Sequence, residues 1–221
     1  MKLLAVLLTF ASPAVREEHS YPPKGSGQQR ADFERGQANQ AKFEQRLFTE
    51  AGFKPLPDMI KAKRIVRRSL FEDPYMMLPI PGVEVEHLSD GTVTVRVVGR
   101  AGESEPVKLP AAAWRHLTSL EGKILTPRPY VPWDPPKSDL PSPPPPPICH
   151  GWIVRFGASE NAVQGSGSWA QCGGKDQPGM AFAVEMARLA VESHPSCKFD
   201  PTNPFWSFST CFTPRPTPAK N

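Results

Sequence analysis

The stretch ICHGWIVRFGASENAVQGSGSWAQC, from Ile148 to Cys172, decides how the last third of this 221-residue chain folds. Large apolar residues alternate with small and polar ones on either side of Glu160-Asn161, the pattern of an antiparallel hairpin. A turn centred there sets Cys149 opposite Cys172 and Trp152 opposite Trp169. His150, Trp152, Val154 and Phe156 then share one face, and Cys149, Gly151, Ile153 and Arg155 the other.

Beyond the hairpin, Asp176 and Pro178 are the expected cap and first turn of a helix, MAFAVEMARLAVESH. Its polar positions Glu185, Arg188 and Glu192 fall at spacings of three and four, one solvent stripe with ion-pairing geometry. Pro195 ends this helix, and FWSFSTCF from Phe205 to Phe212 alternates aromatic with small residues as a third strand. Residues 148–221 therefore read as a ββαβ module.

All four cysteines, Cys149, Cys172, Cys197 and Cys211, lie in that module, an even number that fits an oxidising compartment. Cys172 and Cys197 flank a helix roughly 24 Å long, too far for a bridge without stretched loops. The pairing expected is Cys149 with Cys172 and Cys197 with Cys211, staples for a module too small to build a large core. Cys149 beside His150 does not read as a catalytic pair, because adjacent strand residues point to opposite faces.

Upstream, residues 126–147 hold eleven of the 28 prolines and no alternation. This is a polyproline linker, roughly 65 to 70 Å if fully extended. Before it, residues 76–125 form a small α+β unit. GVEVEHLSDGTVTVRVVG, from Gly82 to Gly99, is a hairpin turning at Ser89-Asp90-Gly91, followed by a third strand near Pro106 to Leu109 and a helix from Leu109 to Gly122.

Residues 28–75 read as a helical hairpin. The first helix, Gln28 to Gly52, carries an apolar stripe of Phe43, Leu47, Phe48 and Ala51. The second, from Lys54 to about Asp73, places Met59, Ile60, Val66 and Leu70 on its apolar side against the bases Lys61, Lys63, Arg64, Arg67 and Arg68. That basic face is either a solvated surface or a contact for anionic lipid or another polyanion, which makes peripheral membrane contact one expectation. Residues 15–27 read as a flexible leader.

Residues 1–14, MKLLAVLLTFASPA, pair Lys2 with a short apolar run and small residues at peptidase spacing, as in a secretory signal peptide. The run is too short to cross a bilayer, and no later segment qualifies as a transmembrane span. A net charge of +4, mixed with 22 acidic residues, argues against nucleic acid as a partner. There is no CxxC, HxxxH, P-loop or GxSxG, and no cofactor, metal site or catalytic residue is assigned.

The whole is thus expected to be an α+β protein, periplasmic or secreted. It reads as a non-catalytic structural or protein-interaction protein of the cell envelope, whose partner is an unidentified envelope protein or glycan. Trp152, Trp169 and Trp206 are core aromatics in that reading. In the alternative, an open face carrying them forms an aromatic platform for glycan or peptidoglycan. A secreted enzyme of unrecognised type is the third reading.

Overall fold

The chain after the second proline pair, Pro55 and Pro57, is helical for only six residues before it turns into a strand. A computed structural model describes residues 24–73, 81–100, 102–121, 130–132, 151–160, 163–173 and 177–212. The signal-peptide reading of 1–14, most of the leader and most of the proline tract lie outside them.

Helix α1 (Gly27–Glu50) starts where Ser26 accepts a 3.2 Å bond from the amide of Gln29. It ends at Gly52, whose φ of +101° allows the Gly52 amide to reach the Thr49 carbonyl and the Phe53 amide to reach that of Phe48, both at 3.0 Å. The Phe48 and Phe53 rings close this cap edge to face at 5.2 Å.

Helix α2 (Leu56–Lys61) ends in the same motif, with Lys63 at φ 54° and the Arg64 amide bonding the Met59 carbonyl at 2.9 Å. This corrects the second basic helix expected over Lys54 to Asp73. A left-handed C-cap on lysine leaves no local signal comparable to glycine. Strand β1 (Ile65–Glu72) follows, with Val66, Arg68 and Leu70 toward one side and Arg67, Ser69 and Phe71 toward the other, buried on both.

Strands β2 (Gly82–His87) and β3 (Val93–Gly99) form the expected hairpin, pairing Val85 with Val95. The Asp90 carboxylate accepts from the Thr92 amide at 2.8 Å, and Gly91 takes a φ of +84°. Two short strands lie along the outer side of β3: β4 (Gly102–Glu103) and β5 (Val107–Leu109). Helix α3 (Ala111–Glu121) follows Pro110.

Strands β6 (Ile153–Glu160) and β7 (Val163–Ala170) form the opening hairpin, but each β6 residue meets the β7 residue two positions beyond the one expected. Val154, not Trp152, stands opposite Trp169. The ladder runs through Glu160 and Val163, past the turn expected at Glu160-Asn161. A two-residue slip preserves which residues share a face. Trp152 lies just before β6, its carbonyl accepting from the Gln171 amide at 2.8 Å.

Helix α4 (Pro178–Glu192) is capped at Gln177, one residue beyond the expected Asp176. Helix α5 (Pro204–Phe212) replaces the third strand. Asp200 prepares its start. One carboxylate oxygen accepts from the Thr202 amide at 2.8 Å and hydroxyl at 2.7 Å, and the Asp200 amide donates to Ser207 Oγ at 2.9 Å. Phe205, Phe208 and Phe212 also fit helical spacing, and Pro204 suits the first turn.

Among the described residues the sheet has seven strands, every pairing antiparallel, in the order β4-β3-β2-β1-β6-β7 with β5 beside β3. Helices α3, α4 and α5 cover one face, burying Phe71, Val83, Val95, Phe156, Phe182, Met186 and Phe208. Helices α1 and α2 cover part of the other over Leu70, Val98 and Val66. The protein is α+β, as expected, yet the division at the proline tract is corrected. Strand β1 pairs with β6 from Val66 opposite Ser159 to Glu72 opposite Ile153, so both sides of the tract share one sheet. Tyr130 packs on α1, its hydroxyl donating to Gln29 Oε1 at 3.2 Å and its ring 5.4 Å from that of Phe33.

A candidate binding groove between β5, α3 and α4

Strand β5 contributes only three residues between Pro106 and Pro110, because neither proline can donate to a ladder. Its inner side pairs with β3, and among the described residues no strand pairs with its outer side. Val107 is 41% exposed there. Beside it, residues of β5, α3 and α4 line an open groove of about 610 Å³. Leu109, Ala113 and Leu189 supply its apolar floor, and Lys108, His116, Glu185, Arg188 and Glu192 its polar rim.

The α4 stripe sets the rim's electrostatics. Arg188 grips Glu185 with two parallel bonds of 2.8 and 2.7 Å and reaches Glu192 one turn on. The Glu185 hydrogen bond is the main cause holding the Arg188 guanidinium above its ordinary range, against partial burial. Glu185 is buried, and His116 Nε2 stands 4.0 Å from its carboxylate. The groove is therefore an apolar trough with one fixed, ion-paired cluster that carries a single net negative charge, one guanidinium against two carboxylates, and two less constrained bases, Lys108 and His116.

The residues singled out from the sequence do not converge there. Lys61 and Lys63 are exposed, whereas Arg64 is tied to Glu86 and the side chains of Arg67 and Arg68 are buried. The basic face expected for a polyanion is not a single surface. Arg67 bonds Glu121 and Glu160 and lies 4.9 Å over the Trp114 ring; Arg68 bonds Glu84 at 2.7 Å and the Lys54 carbonyl at 2.6 Å. Burial raises the Glu121 carboxyl despite its bond to Arg67.

Trp152 is buried, 4% exposed, with the Phe205 ring at 5.8 Å. Trp206 stands edge-on to it at 5.5 Å and 89°, and is 48% exposed. These two rings are perpendicular and do not make a flat face. Trp169 is placed by register alone. Cys197 and Cys211 form the expected disulfide, with Cα atoms 5.8 Å apart. Cys172 is disulfide-bonded, while its expected partner Cys149 lies outside the described residues. His194, Cys197 and Cys211 place one nitrogen and two sulfurs within 4.8 Å of one another, the one metal-type ligand cluster among the described residues.

From sequence reasoning only the Glu185-Arg188-Glu192 stripe of the groove had emerged. Lys108 and His116 carry no motif, and their proximity to α4 follows from sheet order alone. The architecture defines an α+β protein with an antiparallel sheet between helical layers, and no helix among the described residues is long and apolar enough to cross a membrane. Comparison with protein-family models, curated proteins and solved structures finds no match for this chain.

Proposed function

We propose that this protein is an exported, non-catalytic interaction protein of the cell envelope, and that it grips an extended segment of a partner protein at β5. The observation that carries the reading is a sheet edge on whose outer side no strand pairs among the described residues, opening directly onto an apolar groove. An added strand gains backbone hydrogen bonds from the edge and specificity from alternate side chains set into the trough. Pro106 and Pro110 restrict the pairing to a few residues, and Lys108 discourages edge-to-edge association of the protein with itself. Export is supported by the signal-like residues 1–14 and the disulfides.

The test is selection of extended peptides from a library against the full chain, followed by amide-shift mapping. Binders should perturb Val107 to Leu109, and Ala112→Arg, an exposed position lining the groove, should weaken them at least tenfold without unfolding the protein. Binders that map elsewhere and keep their affinity for Ala112→Arg overturn the reading. Fractionation of the tagged chain tests export, which recovery in the cytosol with four free thiols would refute.

The glycan reading now depends on Trp206, a single exposed ring where stacking on a sugar needs no coplanar partner. Loss of glycan retention on Trp206→Ala, with none on groove variants, would favour it over peptide capture.

A further inference from the structure

The turn after α4 builds a ligand cluster that groove binding does not use. The His194 amide bonds the Val191 carbonyl and the Cys197 amide bonds the His194 carbonyl, each at 3.1 Å. This folds the imidazole back over the sulfur: His194 Nδ1 lies 3.4 Å from Cys197 Sγ and 3.0 Å from Ser196 Oγ. The Phe212 ring meets the imidazole edge to face at 5.7 Å. Cys211 arrives from the last turn of α5. Val191 on the α4 side and Phe208 on the α5 side are both fully buried.

We propose that His194, Cys197 and Cys211 form a redox-gated site that, once the disulfide is reduced, binds a thiophilic d¹⁰ cation such as Zn²⁺. Tetrahedral zinc with two thiolates and one imidazole needs a sulfur-to-nitrogen separation of about 3.6 Å and a sulfur-to-sulfur separation of about 3.8 Å. The histidine already stands at the first distance from Cys197. The second requires the two sulfurs to part by about 2 Å from their bonded distance, within reach of a cysteine χ1 rotation. The imidazole is exposed, which leaves the fourth position open to water.

The chemistry balances in two steps. A dithiol reductant supplies two electrons and two protons, the Cys197–Cys211 bond breaks to two thiols, and the reductant closes to a cyclic disulfide. The cation then displaces both thiol protons and takes the Nδ1 lone pair of neutral His194. Disulfide and metal are thus alternative clasps between the α4 turn and α5.

The probe is Co²⁺, titrated anaerobically into full-length protein reduced with a phosphine, first in a Cys149→Ser/Cys172→Ser background that leaves one cysteine pair. We expect one equivalent bound with thiolate-to-cobalt charge transfer and tetrahedral d–d bands, release of two protons, displacement by Zn²⁺, and no binding before reduction. His194→Ala should weaken binding at least tenfold. Absence of the thiolate bands from reduced protein whose circular dichroism is native overturns the proposal, as does unchanged affinity in His194→Ala. Should the double variant fail to fold, reduced wild type is compared with Cys211→Ser: identical cobalt spectra overturn the assignment, and loss of this site's bands upholds it.

Discussion

Arg68 on β1 and Glu84 on β2 stand directly opposite each other, with Arg68 Nε donating to Glu84 Oε2 at 2.7 Å and both side chains 1% exposed. Glu84 also accepts from Arg96 across the next strand, so one carboxylate links three neighbouring strands. Burial opposes its charge, but the Arg68 and Arg96 guanidiniums overcome this and hold the carboxyl below its ordinary range.

A depressed carboxyl stabilises the fold while ionised and loses that contribution as pH falls through its folded-state value. Glu84→Gln should therefore destabilise the protein by about 3 kcal/mol at neutral pH, because it strands a buried guanidinium. The deficit relative to wild type should shrink as pH falls below about 4.3, the ordinary glutamate value. Urea denaturation of both proteins from pH 7 to pH 3 measures it, and a pH-independent difference would contradict the ion-pair account.

Lys63 occupies a left-handed position that favours glycine. Lys63→Gly should stabilise the protein by up to about 1 kcal/mol by relieving that conformation, with the gain visible in the urea midpoint at unchanged slope. A destabilised variant would show that the lysine side chain matters more than its backbone.

Gly82 should tolerate no side chain. A Cβ there would lie 2.5 Å from the Ser69 carbonyl oxygen and 2.7 Å from the Phe53 ring. The first neighbour is β1 backbone and cannot yield cheaply. Gly82→Ala is expected to cost at least about 2 kcal/mol, whereas Gly91→Ala, with open space but a positive φ, should cost less; thermal melts compare the two.

Phe208 is fully buried, with Phe71 at 4.7 Å and Phe212 at 4.9 Å. Phe208→Ala should lose about 3 to 5 kcal/mol through the cavity it leaves. Trp206→Ala, one helical face away and half exposed, should lose far less. Equal losses by denaturant titration would mean that Phe205 to Phe212 is not helical.

Local pattern was enough for α1, the β2-β3 hairpin, β5, α3, α4 and the existence, though not the register, of the β6-β7 hairpin, because each carries its own periodicity with a cap, turn or proline beside it. The candidate groove was legible only as the ion-paired stripe of α4. Two elements misled for identifiable reasons. FWSFSTCF satisfies both a period of two and a helical spacing, and the choice falls to Asp200 and Pro204 just upstream. IVRRSLFE hides a central strand, since Arg67 and Arg68 look like solvent residues until Glu121, Glu160 and Glu84 are brought to them from far along the chain.

The sequence by itself determined the α+β class, the Cys197–Cys211 bridge and most of the local elements, since these follow from contacts among near neighbours. Only the tertiary structure decided that β1 joins the two sides of the proline tract. That strand's backbone amides and carbonyls need partners on both sides, and β2 and β6 supply them in one continuous ladder. The groove is a product of the same assembly: β5, with no outer strand among the described residues, lines it together with α3 and α4, elements far apart in the chain.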